Sequence, residues 1–182
     1  MKISAIGASV AVVVASVASA DVTYTFTNQA WAGNSFTSAF GAGTLTGSIT
    51  AVKANATMDA QTNNTYASDL CIYVAYNPLA SGGLLQAGGV DDFLATQKYS
   101  WANGDSSAPG TVVSSTRLLT TAISMAANPN AIVYVGNGYS SGLGTWTGTI
   151  TLVGVELAPV PAPGAVALLG LAGAIGGRRR RA

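Results

Sequence analysis

The side chains that could carry acid–base or metal chemistry are few in this chain. Histidine is absent, which excludes a Ser-His-Asp triad, a Cys-His pair and most zinc sites. Cys71 is the single cysteine, which excludes an internal disulfide and a thiolate-rich metal site. No glycine-rich segment has the strand–loop–helix context of a phosphate site. We therefore predict no catalytic residue and a protein that is not an enzyme.

Paired carboxylates leave one catalytic alternative open. A hydrolase of this type needs two acids that face each other across a cleft. Asp91 and Asp92 are adjacent, so in a strand they would point to opposite faces. Asp69 or Asp105 could approach one of them in the folded chain. A carboxylate-pair hydrolase is therefore kept as an alternative function.

Calcium is the one inorganic ligand that the loops could suit, because it prefers carboxylate and amide oxygens. The candidates are Asp91, Asp92, Asn103 and Asp105. Their spacing matches no EF-hand or calcium-binding repeat, and Asp and Asn are also common turn residues. We therefore expect no cofactor.

Carbohydrate binding is the second alternative, and it depends on exposed aromatic rings beside amide and hydroxyl groups. Trp101, Asn103 and Asp105 lie in one short segment, and Tyr139 follows a Gly-Asn-Gly turn. These four residues would form a patch for an extracellular polysaccharide. The competing interpretation places the rings in the core, and a buried Trp101 would exclude the patch.

The distribution of charge excludes nucleic acid as a partner. Residues 21–157 hold three cations, Lys53, Lys98 and Arg117, against all seven acids, which gives that segment a net charge of −4. A mildly acidic domain with scattered cations cannot neutralise a run of phosphates.

The first twenty residues predict a helical signal peptide. Lys2 provides a basic start, Ile6 to Val17 is apolar, and Ala18 and Ala20 supply the small side chains that signal peptidase requires. Cleavage after Ala20 would leave Asp21 as the mature N-terminus.

The C-terminus has three parts in order. A proline-rich linker (158–163) holds the chain extended, and an apolar segment (164–177) can form a helix about 21 Å long. The terminal segment (178–182) contains Arg178, Arg179, Arg180 and Arg181, which would stop the helix at the cytoplasmic side. Because a hydrocarbon core is about 30 Å thick, the helix is a poor permanent span and predicts transient membrane contact.

This tail resembles the PEP-CTERM sorting signal. The motif is Val160-Pro161-Ala162-Pro163, with Ala162 where that family usually has glutamate. The resemblance implies an exosortase-type membrane enzyme as partner and delivery to the cell surface or the extracellular medium. Whether the tail is cleaved, or is retained as a tail anchor, is left open.

Residues 21–157 predict an all-β domain. Apolar and hydroxyl residues alternate in several segments, which is typical of half-buried strands. The predicted strands are 22–27, 44–50, 52–58, 70–76, 111–123, 131–135 and 144–155. The alternation slips at Ala51, which predicts a bulge or a bend, and 70–76 is apolar on both faces, as in a central strand that would bury Cys71. For 84–85 and 91–95, short strands and a helical turn both remain open. About eight strands favour an antiparallel β-sandwich.

The last strand, Gly144 to Val155, resembles the closing strand of P-domain jelly rolls through its Gly-Thr-Trp-Thr run. The resemblance implies a jelly-roll-like connectivity and no function. Together these observations predict an exported cell-surface or extracellular-matrix protein with a binding or structural role.

Overall fold

Strands form almost all of the regular structure of this domain. The structure, a computed structural model, describes residues 21–76 and 82–159, and in these residues it contains nine strands, one 3-10 turn (Ala67–Asp69) and no α-helix. The strands are β1 (Val22–Ala32), β2 (Phe36–Phe40), β3 (Leu45–Gln61), β4 (Leu70–Ala75), β5 (Leu85–Ala87), β6 (Gln97–Tyr99), β7 (Val112–Ser124), β8 (Ile132–Asn137) and β9 (Leu143–Leu157). The all-β prediction is confirmed.

The strands form two packed sheets. One has the order β1-β9-β3-β7 and the other β2-β8-β4-β5-β6, with every neighbouring pair antiparallel except β5 and β6. β1 pairs with β9, β2 with β8, β3 with β7 and β4 with β5, as in a long hairpin rolled into a barrel-like sandwich. This is jelly-roll connectivity with β6 added at one edge. The predicted antiparallel, jelly-roll-like sandwich is confirmed.

The main core lies between the two sheets. Trp146 is fully buried at its centre, and its ring lies 5.9 Å from that of Trp31, which in turn packs edge-on against Phe26 at 5.4 Å. Aliphatic side chains from both sheets complete the layer. Each such residue stabilises the fold by about 1.5–3 kcal/mol through burial.

β3 explains the phase slip seen in the sequence. It continues as a single strand, but its register with β7 shifts between Ile49 and Ala51. After the shift Val52, Ala54 and Ala56 are buried in the core. Against β9, the other neighbour, β3 carries extra residues between Gly47 and Ala51, which turn the following apolar side chains inward, and the bulge prediction is confirmed.

β4 is buried on both faces, as its sequence predicts. Leu70, Ile72 and Val74 pack in the main core, whereas Cys71 and Tyr73 belong to a second apolar cluster on the other face. Phe93, from the loop after β5, covers this outer cluster and lies 5.4 Å from the Tyr73 ring. The predicted burial of Cys71 is confirmed.

Gln86 holds that covering loop in place. Its side chain is fully buried, donates to the carbonyl of Asp91 at 2.6 Å and accepts from the N–H of Phe93 at 3.1 Å. Of the two segments left open by the sequence, Leu85 lies in β5, whereas 91–95 forms neither strand nor helix. The short strands β2 and β6 are absent from the prediction.

The sandwich has two distinct ends. Val22 pairs with Leu152 and Leu45 with Leu157, so the start of β1 and the end of β9 lie together at what we call the terminal end. Ala32 pairs with Leu143, and Gln61 pairs with Gly144 at the opposite end, which we call the groove end.

Several predicted segments lie outside the described residues. These are the signal peptide with Ala18 and Ala20, the sorting motif at 160–163, the tail helix and the arginine cluster. Within the part that is described, no helix has the length and apolar character needed to cross a membrane.

Candidate functional site

A polar groove opens at the groove end of the sandwich. Three chain segments build it: the 3-10 turn before β4, the glycine-rich segment after β5 and the loop after β6. We call it the end groove; its volume is about 300 Å³, and it is lined by Tyr66, Ser68, Asp69, Gly88, Gly89, Val90, Lys98, Ser100, Trp101 and Asp105.

Backbone hydrogen bonds tie the three segments together. The N–H of Gly89 donates to the carbonyl of Ser68 at 3.0 Å, and the N–H of Gly88 donates to that of Tyr99 at 2.8 Å. The N–H of Ser68 donates to the carbonyl of Gly104 at 3.0 Å. The groove wall is therefore held by the main chain, which fixes its shape independently of the side chains that line it.

Trp101 is the floor of this groove rather than an exposed platform. Only 4% of its surface is accessible, and its indole N–H donates to the carbonyl of Leu70 at 2.6 Å. A Cβ at Gly88 would overlap both of these groups, so only glycine, with its φ of +78°, fits beside the ring. The predicted role of Trp101 in a sugar-binding patch is wrong, because the ring packs into the main core and its N–H is used there.

The other members of the predicted patch are divided. Asp105 lines the end groove and is exposed. Asn103 is not among the lining residues, and its side-chain oxygen accepts from the N–H of Ser114 at 3.0 Å. Tyr139 also lies outside the lining, half-buried in the loop between β8 and β9. The four predicted residues therefore do not converge as one site.

Asp69 gives the groove its most perturbed group. It is 5% exposed, and its Oδ2 accepts from the N–H of Tyr66 at 2.8 Å. Burial raises the pKa of Asp69 above its ordinary value of 3.8; the Tyr66 hydrogen bond opposes this, and the nearby charges of Asp91 and Asp105 add to it. No described group hydrogen-bonds its Oδ1. A desolvated carboxylate with a free oxygen is therefore available at the groove.

The calcium candidates are not brought together. Asp91 accepts from the N–H of Ser140 at 2.7 Å. Asp92 accepts from the N–H of Leu94 at 2.9 Å and pairs with Lys98 at 3.3 Å, and these two bonds lower the pKa of Asp92. Nowhere in the described ranges do three acidic or sulfur side chains cluster closely enough for a metal ion. The grouping of Asp91, Asp92 and Asp105 as a calcium site is wrong.

If the protein were a carboxylate-pair hydrolase, its two acids would be Asp69 and Asp105 rather than Asp91 and Asp92. Asp69 and Asp105 both line the end groove, and the pKa of Asp69 is raised. Glycoside hydrolases use one carboxyl group with a raised pKa as the acid and a second, ionised carboxylate as the base or nucleophile. A buried Asp69 with a raised pKa and an exposed Asp105 resemble that pair. The end groove is thus the place where that alternative can be tested.

A larger groove runs along one side of the sandwich, between the edge strands β6 and β7. We call it the side groove; it measures about 640 Å³ and is lined by Leu84, Thr96, Gln97, Lys98, Tyr99, Thr120, Thr121, Ala122, Ile123, Ser124, Ala127 and Asn128. Several of its polar side chains are bonded to the protein. Gln97 bonds both the N–H and the carbonyl of Thr121, at 3.0 and 2.8 Å, and the Tyr99 hydroxyl accepts from the N–H of Thr120 at 2.6 Å. The side groove is therefore a sealed sheet edge rather than a ligand site.

Tyr66, Ser68, Lys98 and Ser100 are among the groove residues that the sequence does not single out. One signal was present: Asp69 stands three residues after Tyr66, the spacing at which a carboxylate caps the N–H that begins a turn. Nothing in the sequence indicates that this turn meets Gly89 and Trp101.

No protein-family model, curated protein or solved structure matches this chain. Its function has to be inferred from its own residues.

Proposed function

We propose that this chain is an exported cell-surface or extracellular-matrix protein, delivered through its C-terminal sorting tail and acting by binding rather than catalysis. One observation carries the proposal. β1 and β9 are neighbours in the sheet, so the start of β1 and the end of β9 lie at the terminal end, opposite the end groove. A tail held at a membrane would therefore leave the end groove facing outward.

The positions of the outer strands support the same proposal. β1 begins at Val22, two residues after the proposed cleavage site, and β9 ends at Leu157, before the proline-rich linker. A signal peptide and a sorting tail at these places could be removed without loss of a described strand.

The surface of the four-stranded sheet is also consistent with an extracellular domain. Threonines stand opposite each other on β1 and β9, where Thr23 pairs with Thr151 and Thr25 with Thr149. The hydroxyls of Thr23 and Thr151 hydrogen-bond at 2.9 Å. This face is hydrated mainly by hydroxyl groups, with an ion pair between Lys53 and Asp21 at its margin.

The test is the intact mass and both termini of the protein recovered from cells that contain an exosortase-type enzyme. We expect an N-terminus at Asp21 and loss of everything beyond the Pro161 region. Replacement of Arg178–Arg181 by serine should prevent surface delivery, since the electrostatic stop is gone. Arg117→Ser is the matched control, because Arg117 is the one arginine of the sequence outside the tail, and it should leave delivery unchanged.

Two results would contradict the proposal. An intact Arg181 on a membrane-associated protein would make the chain tail-anchored. Retention of residues 1–20 in the mature protein would exclude the export route.

A further inference from the structure

We propose that the end groove binds a neutral, hydroxyl-rich ligand of the saccharide class, one ring at a time, with Asp69, Tyr66 and Asp105 as its main contacts. This inference rests on the proposed binding function and names its ligand. It replaces the Trp101–Tyr139 patch with a site built from different residues.

The first argument is that the polar groups of the groove have no other role. Among the described residues, no hydrogen bond engages the hydroxyls of Tyr66, Ser68 or Ser100, the carboxylate of Asp105 or the Oδ1 of Asp69. In the side groove, by contrast, Gln97 and Tyr99 are both bonded to β7. Hydrogen-bonding groups that converge on a groove without protein partners are the usual sign of a ligand site.

The second argument concerns charge. Lys98 lines the groove together with Asp69 and Asp105, so the wall offers both donors and acceptors. Lys98 is already paired with Asp92 at 3.3 Å and does not form a free anion site. A ligand with many hydroxyls, which donate and accept alike, matches this lining better than a simple cation or anion.

The third argument concerns shape. Tyr66 lines the groove and is 44% exposed, so part of its side chain is accessible for contact with a flat ligand. The groove volume of about 300 Å³ lies at the lower limit for small-molecule sites. A single sugar ring, as an end residue or as one unit of a chain, suits that size.

Asp69 would supply the strongest contact. The N–H of Tyr66 fixes its Oδ2, which leaves Oδ1 oriented without a partner. Hydrogen bonds to an ionised group are stronger than neutral ones, especially where burial limits competition from water. Two ligand hydroxyls can donate to this oxygen and to Asp105.

The experiment uses the exported protein recovered from cells. A glycan array of neutral and charged sugars comes first, followed by NMR titration with glucose, galactose, mannose and N-acetylglucosamine. We expect a neutral sugar to shift the signals of Ser68, Gly89 and Asp105. Asp69→Asn keeps an oxygen for the Tyr66 N–H and should weaken binding about tenfold or more.

Tyr66→Ala gives an independent variant, because an exposed side chain is removed with little effect on folding. It should weaken sugar binding about three- to tenfold through loss of the ring face. Tyr76→Ala is its matched control, since Tyr76 is similarly exposed, at 53% against 44% for Tyr66, and does not line the end groove. That control should bind like the wild type.

Three outcomes would overturn the inference. They are no shift with any neutral sugar, tighter binding of tetramethylammonium or inorganic phosphate than of any sugar, and equal affinities for the Tyr66→Ala and Tyr76→Ala proteins. Hydrolysis of an oligosaccharide, seen by mass spectrometry, would instead make Asp69 and Asp105 an acid–base pair. A protein that reaches the surface but binds no sugar would refute this inference alone.

Discussion

The two grooves of this domain differ in how their polar atoms are used. In the larger side groove, the side chains of Gln97 and Tyr99 bond the main chain of β7 and close the edge of the four-stranded sheet. In the smaller end groove, five polar groups have no hydrogen-bond partner in the described part of the chain. Size alone would select the side groove.

If the end groove binds a ligand, as we propose, hydrogen bonding rather than volume distinguishes it from the structural cleft. An exposed sheet edge is a template for unwanted strand pairing, and side chains that imitate a neighbouring strand remove that hazard. The same bonds leave few polar groups for a ligand. The end groove has its shape fixed by the main chain, so its side chains remain available.

The largest expected effect comes from Gln86, which holds the loop after β5 next to the end groove. Gln86→Leu would leave the N–H of Phe93 and the carbonyl of Asp91 without partners in a buried place. We expect the free energy of unfolding to fall by about 2–3 kcal/mol. Denaturant titration measures this loss.

The alkylation rate of Cys71 measures how far the loop held by Gln86 opens. Its thiol is fully buried under the covering loop, and burial raises its pKa, so it should resist alkylation in the native protein. Gln86→Leu should speed its labelling. Gln97→Leu, in the side groove, is the matched control. It should cost about 1–1.5 kcal/mol, less than Gln86→Leu because Gln97 is partly exposed, and it should leave the labelling unchanged. Equal losses of unfolding free energy in the two variants would contradict the difference that we infer between Gln86 and the side-groove residue Gln97.

A smaller effect separates the two tyrosine hydroxyls. Tyr99→Phe removes the group that accepts from the N–H of Thr120, so we expect a loss of about 1 kcal/mol in unfolding free energy. Tyr66→Phe removes a hydroxyl that hydrogen-bonds no described group and should change stability by less than about 0.5 kcal/mol. Thermal unfolding of the two variants tests the contrast. A greater loss for Tyr66→Phe would show that its hydroxyl is engaged after all.

The smallest effect is the pH dependence that Asp69 contributes. Because its folded pKa is raised, the native state holds more protons than the unfolded state above pH 3.8, and stability falls as pH rises through that window. We expect the stability of the wild type relative to Asp69→Asn to decrease as the pH rises above the ordinary carboxyl value of 3.8. Asp59→Asn, on the exposed surface, is the control. If the stability of the wild type relative to Asp69→Asn instead increases with pH, the folded protein stabilises the Asp69 carboxylate rather than desolvating it.

The regular part of the fold was predictable because strand alternation is a local property. The phase slip at Ala51 indicates the bulge in β3, and the apolar run from Leu70 indicates a strand buried on both faces. The short strands β2 and β6 were not predicted, because three to five residues give too little alternation to recognise.

The candidate site was predictable only in part. Asp105 and the loop after β6 were expected, whereas Trp101 turned inward because the carbonyl of Leu70 lies within reach of its N–H. Tyr66 and Gly89 meet through the connectivity of the jelly roll, across more than twenty residues. Such pairings depend on the whole topology and leave no local mark in the sequence.

The central position of β9 has a consequence for the order of folding. β9 lies between β1 and β3, yet it is the last of the described strands to be synthesised. The four-stranded sheet therefore cannot close until residue 157 is available, however early β1 and β3 emerge. Late closure through contacts distant in sequence makes folding slow and keeps the chain extended for longer. A chain that must be threaded through a membrane channel before it folds would benefit from that delay.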